Sequence, residues 1–194
     1  HGVPQSRNRL YIVCIRKDLY IEGRCKWPAP IACPSVERFL DPCETKPNPL
    51  NVQAPPQTFA SQIWAATMAK LLRDKHEPLQ QAWLFPVTTS KGRCSERKDM
   101  CPCLLTRSKV WISNRGRLLN ARERCRLQGM NPDDFKQVVS DAQWRKQLGN
   151  AMSVNVVERL LARLLPAVGL TGALPDRWAS GTAVAELEAT RTSV

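Results

Sequence analysis

The first long apolar run is Leu10-Tyr-Ile-Val-Cys-Ile15, bounded by polar residues and rich in β-branched side chains. Six residues apolar on both faces predict a strand buried in the middle of a layered sheet. Gly2-Val3-Pro4-Gln5, just before it, reads as a turn. From Trp27 to Pro56 the chain is proline-rich with short apolar islands. Proline blocks helix interiors and central strands, so this stretch is predicted to be an extended connector. Thr58 can cap a helix reaching about Leu72. Its Phe59, Ile63, Thr67 and Leu71 fall four apart, with Trp64 and Met68 alongside, as one buried stripe. Gln81 to Thr88 predicts a strand and turn, and Val110-Trp-Ile112 a strand within an otherwise loop-like 88–117.

The second half reads as helices. Asn120-Ala-Arg-Glu123 has the spacing of a capping box, and Gly129 with Asn131-Pro132 ends the short helix it starts. Ser140-Asp-Ala-Gln143 repeats the pattern before a helix that stops at Gly149. Val154, Val157, Leu160, Leu161, Leu164 and Leu165 form an apolar face, with Glu158, Arg159 and Arg163 opposite, up to Pro166. Beyond Gly169 the chain turns small and polar, which predicts a frayed tail over 170–194.

Composition narrows the function classes. The 194 residues carry 29 basic and 17 acidic side chains, 29 − 17 = +12. That length allows one domain with a real core or two small ones. No run approaches the roughly 18 apolar residues of a membrane span. His1 is not followed by a secretory leader, so a missing N-terminus is expected. The eight cysteines show no C-x2-C pair, which predicts free thiols in a reducing compartment and no metal site. From Lys91 to Arg126, eleven basic residues face three acids, so 11 − 3 = +8 of the charge is concentrated there. Backbone phosphates are its natural counter-charge, with a solvated basic loop as the alternative.

Three segments carry the most information. His1-Gly-Val-Pro-Gln-Ser-Arg-Asn-Arg-Leu10 places Gln5, Arg7 and Arg9 on one side of an extended chain. Arg117-Leu-Leu-Asn-Ala-Arg-Glu-Arg-Cys-Arg-Leu-Gln-Gly129 is closed by Asn131-Pro-Asp133. Gln147-Leu-Gly-Asn-Ala-Met-Ser-Val-Asn-Val156 sets a Gly-Asn pair before the amphipathic helix. In order and spacing these resemble the DNA (cytosine-5) methyltransferases. The first resembles that family's G-[IV]-P-Q-x-R-x-R segment, the second its R-x-L-[ST]-P-R-E-x-x-R-x-Q-G-[FY]-P-D, and the third its Q-x-G-N-[SA]-V-x-V. Ala121 stands where proline is usual, Met130 replaces the aromatic, Asn131 is inserted and Met152 replaces a valine.

The resemblance implies an α/β fold: the C-terminal part of a Rossmann-like S-adenosylmethionine-dependent methyltransferase domain with an inserted small target-recognition domain. It implies residues 1–36 as the end of the catalytic domain, 37–116 as the recognition domain and 117–169 as the return to the catalytic domain. The reaction implied is covalent: a cysteine thiolate adds to C6 of a flipped cytosine, and C5 takes the methyl group of S-adenosylmethionine. Arg9 would donate to the cytosine O2, with Arg7 and Gln5 in support. Asn150 and Ala151 would line the cofactor pocket, and Arg93, Arg97, Lys98, Arg107, Lys109 and Arg115 would meet duplex DNA. Arg122 and Glu123 read as structural. The Pro-Cys-Gln segment bearing the nucleophile, the Glu-Asn-Val segment and the F-x-G-x-G loop are not found in these 194 residues. The chain is therefore expected to need an N-terminal catalytic portion, in the same chain or as a split subunit, and not to methylate alone. Alternatives are a tRNA methyltransferase, whose Cys-Phe-Thr signature contrasts with Cys103-Leu-Leu here, and an inactive nucleic-acid-binding remnant. An intracellular site follows from the resemblance, nuclear in a eukaryote and cytoplasmic in a bacterium.

Overall fold

The computed structural model describes residues 2–43, 54–56, 58–88 and 94–191. Four short strands, β1 (Trp83–Pro86), β2 (Arg97–Lys98), β3 (Val110–Ile112) and β4 (Arg117–Leu118), form an antiparallel sheet in the order β2-β1-β3-β4. Phe85 lies opposite Trp111 and Leu84 opposite Ile112. Alternation sends Trp83, Phe85 and Trp111 to one face and Leu84, Val110 and Ile112 to the other. Both faces are covered, which is why β1 reads as an unbroken apolar run.

Helix α1 (Thr58–Arg73) covers the first face through Ala60, Met68 and Leu71. Ile63, Thr67, Met68 and Leu71 of the predicted stripe are buried, whereas Phe59, in the first turn, is 51% exposed. The side chain of the predicted cap, Thr58, lies outside the described atoms. The second face packs on the main core, built from Val36, Phe39, Leu40, Leu104, Leu127, Trp178, Val184 and Leu187. Residues 44–53 of the proline-rich connector lie outside the described residues; the rest holds a buried anchor, a 3-10 turn at Val36–Arg38. Pro34 and Pro42 bracket this turn and leave its hydrogen bonds intact.

Helix α2 (Ala121–Leu127) starts with the expected capping box: the Asn120 side chain accepts from Glu123 N at 2.9 Å, and Glu123 accepts from Asn120 N at 2.9 Å. Helix α3 (Asp141–Asn150) is capped by Ser140 and Gln143 and runs one residue past Gly149. Helix α4 (Val154–Ala167) passes through Pro166 before ending. Arg159, placed by the sequence on the solvent face of α4, is buried instead. It pairs with Asp176 at 2.9 Å and donates to Ala29 O at 2.8 Å.

Two further expectations are corrected. Leu10–Ile15 is extended but joins no strand ladder among the described residues, with Leu10 87% and Ile12 79% exposed. Alternate residues Tyr11, Val13 and Ile15 are half-buried and line cavities shared with Leu160 of α4. An apolar run states what a strand can bury; it does not supply neighbouring strands to bury it. Nor do all of residues 170–194 fray. Trp178 is buried and donates to Glu158 at 2.9 Å, and α5 (Thr182–Ala189) docks through Ala183, Val184 and Leu187. Trp178 fits because Gly2 and Gly129 have no side chains. A Cβ on Gly2 would stand 2.9 Å from Trp178 Cε3, and one on Gly129 3.2 Å from Trp178 Cη2.

The mixed helix and strand content fits the α/β class. Among the described residues, no helix is long and apolar enough to cross a membrane.

Candidate functional site

The Gln5–Arg9 segment is fixed by a short parallel pairing with the chain at Cys101. Cys101 N donates to Pro4 O at 2.7 Å and Ser6 N to Cys101 O at 2.8 Å, with Gln5 opposite Cys101. Gln5 Nε2 donates to Leu127 O, 3.1 Å, at the end of α2. Its Oε1 is buried without a hydrogen-bond partner among the described residues.

Arg7 ties three segments together. Its Nη2 donates to Ala151 O at 2.7 Å and Gly149 O at 3.2 Å, and its Nη1 to Leu104 O at 3.2 Å. The Arg7 Nε is buried and unmet among the described residues. The planar five-donor guanidinium suits carbonyls arriving from different directions. The approach behind it requires glycine, since a Cβ on Gly149 would stand 2.4 Å from Thr106 N and 2.6 Å from Leu105 C. Buried Gln128 braces the same turn, donating to Leu148 O at 2.7 Å and accepting from Ser153 Oγ at 3.2 Å. Asn150 is exposed at the end of α3, and Ala151 is half-buried.

Arg9 is exposed. It donates to its neighbour's carbonyl, Asn8 O, at 2.7 Å and approaches Cys103 Sγ at 3.9 Å. A cavity of about 550 Å³ opens beside it, lined by Arg7, Arg9, Tyr11, Trp27, Val156 and Leu160. Cations and aromatic faces in one cavity suit a flat, polar-edged ring. A second, mostly apolar groove of about 680 Å³ runs along α4, from Met152 and Val157 to Leu161 and Leu174.

The structure divides the basic cluster into two groups. Arg97, Lys98 and Arg107 are exposed and Lys109 is half-buried, while Arg93 lies outside the described residues. Arg115 turns inward to pair with Glu37. Arg117 grips Glu123 at 2.7 and 2.8 Å, and Arg122 pairs with Asp133 at 2.7 Å and reaches Thr190 O. Arg126 is buried against Asp41. Burial pushes the Arg124 guanidinium down to about 10, with Arg145 adding repulsion. Part of the local +8 is therefore internal scaffolding.

Sequence reasoning named Gln5, Arg7, Arg9, Asn150 and Ala151; the structure joins Arg7 to Ala151 and sets Arg7 and Arg9 on one cavity, while Gln5 reaches Leu127 O and Asn150 is exposed at the end of α3. It missed the roles of Cys103, Leu104, Gln128 and Gly149. Gln128 and Gly149 stand inside the quoted segments, where their side-chain requirements were legible. Cys103 stood out only in Cys101-Pro-Cys103 and in the contrast of Cys103-Leu-Leu with Cys-Phe-Thr, neither of which points to Arg7 or Arg9.

An arginine-clamped glycine turn thus stands beside a cation-and-aromatic cavity in a chain of mixed helix and strand content. The C-5 cytosine-specific DNA methylase family matches residues 1–165, and the chain belongs to that family. It is also similar to the type II methyltransferase M.HpaII of Haemophilus parainfluenzae, 27% identical over 186 residues. That alignment covers 87% of this chain and 48% of the relative, so the chain spans about half the relative's length.

Proposed function

We propose that this chain is the C-terminal portion of a DNA cytosine-5 methyltransferase acting on a flipped-out cytosine in duplex DNA. The observation that carries this reading is the Arg7 clamp. It joins the Gln-x-Arg-x-Arg segment, the Cys103–Leu104 segment and the Gly149–Ala151 turn, which are distant in sequence. In this reading residues 1–36 and 117–169 belong to a Rossmann-like catalytic domain, and 37–116 are an inserted recognition domain.

Arg9, exposed on the cavity, holds a permanent charge where the cytosine O2 gains electron density. Arg7 acts as a clamp: its Nη atoms are already spent on carbonyls, so it shapes the pocket. Gln5 serves in the same way through Leu127 O. Asn150 and Ala151 are the residues to hold S-adenosylmethionine, which supplies the electrophilic methyl group when bound. The fit is supported by the exposed Asn150 and by Arg7 Nε, a buried donor beside Ala151 with no hydrogen-bond partner among the described residues. Arg97, Lys98, Arg107 and Lys109 are the cations open to phosphates.

The nucleophilic cysteine belongs to an N-terminal portion that packs on the exposed side of Leu10–Ile15 and along the α4 groove. Exposed Leu10, Ile12, Met152 and Leu161 support that placement, as does the half-length match to M.HpaII.

The test combines this chain with its N-terminal portion, fused or mixed, and follows labelled methyl transfer from S-adenosylmethionine. Cytosine in duplex DNA is expected to be labelled, with Arg9→Ala reducing the rate far more than DNA affinity. Labelling of tRNA in place of DNA would overturn the substrate assignment.

A further inference from the structure

Arg9 is the exposed member of the arginine pair, and its contacts are few. Its one sequence-local partner, Asn8 O, belongs to the preceding residue and moves with it. Among the described residues its other partner is Cys103 Sγ at 3.9 Å, contributed from a segment 94 positions away. The same sulfur receives Arg7 Nη1 at 3.7 Å. A sulfur is a weak acceptor, so the contact alone is modest. Its value is geometric: one half-buried atom touches both guanidiniums.

Cys103 is itself held firmly. Two residues earlier, Cys101 is locked into register with Pro4 and Ser6 by hydrogen bonds of 2.7 and 2.8 Å. One residue later, buried Leu104 gives its carbonyl to Arg7. Upstream, Asp99 accepts from Ser35 Oγ at 2.7 Å and Val36 N at 2.8 Å, which fixes the chain leaving β2. The Cys103 sulfur is thus a tethered point beside Arg9, whose other bond, to Asn8 O, stays within its own segment.

We propose that Cys103 is a positioning residue. Lying in the segment 37–116, it sets the rotamer of Arg9 and thereby couples that segment to the reacting base. This rests on the reading of Arg9 as the base-facing donor. Misplacing such a donor by about 1 Å is enough to lose a large part of its effect.

Two variants separate positioning from folding: Cys103→Ala removes the acceptor, and Cys103→Ser keeps a smaller one. The first measurement uses the 194-residue chain and needs no turnover: NMR relaxation of the Arg9 guanidinium. Cys103→Ala is expected to raise Arg9 side-chain mobility while leaving Arg7, held by three carbonyls, unchanged; Cys103→Ser is expected to stay near the parent. Unchanged Arg9 mobility in Cys103→Ala overturns the proposal, as does equal loosening of Arg7, which would mark a purely structural thiol. The second measurement is methyl transfer with the N-terminal portion present. Cys103→Ala is expected to lower kcat roughly tenfold with DNA Kd unchanged, and Cys103→Ser to recover most of the loss. An equal loss of kcat in both variants overturns it. If Arg9→Ala itself leaves the rate unchanged, the base-facing role of Arg9 fails, while the relaxation result still decides whether Cys103 holds Arg9.

Discussion

Arg126 and Asp41 form an ion pair with neither side chain in water, the arginine 0% and the aspartate 1% exposed. The pair is not isolated. Arg126 also donates to Phe39 O at 2.8 Å and Thr190 O at 3.1 Å, and Asn120 binds the other oxygen of Asp41 at 2.6 Å. It thereby joins the 36–41 turn, α2 and the end of α5. Breaking a buried pair leaves an uncompensated charge, which costs more than the pair contributes. Asp41→Ala is expected to lower unfolding free energy by about 3–5 kcal/mol in urea titrations. A loss under about 1 kcal/mol would show that solvent reaches the Arg126 guanidinium.

Arg124, two residues away, behaves oppositely. It is 3% exposed, and among the described residues its side chain makes no hydrogen bond or ion pair. Burial and the neighbouring Arg145 both disfavour its charge. Arg124→Met keeps the stem and removes the charge, so it is expected to raise unfolding free energy by about 1–3 kcal/mol. A destabilised variant would show that the guanidinium has an anionic partner.

Alkaline pH is expected to weaken the fold through Cys101. Its thiol is fully buried, and burial pushes its pKa well up. The folded chain then keeps a proton that the unfolded chain releases from about pH 8.5 upward. Stability from this group is complete below that pH and falls as pH rises, by up to about 1.4 kcal/mol per unit. Denaturant titrations at pH 8 and pH 10 are expected to show a shallower fall for Cys101→Ala than for the parent. Equal slopes would exclude the buried thiol as the source.

Local signals were the legible ones. Asn120 with Glu123 and Ser140 with Gln143 marked two helix starts, because a cap depends on residues three apart. Gln5, Arg7 and Ala151 were singled out through the resemblance alone, and nothing in the spacing says that Arg7 reaches Ala151 O across 144 positions. What failed were inferences about who covers whom. Leu10 and Ile12 looked buried, but the run carries no record of its neighbours. Arg159 looked solvated, but Asp176 lies in a stretch read as a tail. Trp178 shows why that stretch misled. One large side chain filling the space over Gly2 and Gly129 outweighs a small, polar average composition.

The division of the basic cluster lets the proposed DNA contacts be tested apart from folding. Arg97 and Lys98 are exposed on β2, Arg107 is exposed in the preceding turn to β3, and Lys109 is half-buried beside it. Each one that meets a phosphate releases condensed counterions, so its loss lowers the salt slope of binding by about 0.9. Alanine at these four positions is expected to weaken duplex binding and flatten the salt dependence, with little change in unfolding free energy. Arg115→Ala is expected to do the reverse, because its side chain is spent on Glu37 and on Asp41 O within the fold. Fluorescence anisotropy on labelled duplex across a salt series, with urea titrations of the same variants, resolves both effects. If the fourfold variant keeps the parent slope, these cations face solvent and the phosphates are met elsewhere. If Arg115→Ala flattens the slope at unchanged stability, the Glu37 pair opens on DNA, and the inward arginines join the binding surface.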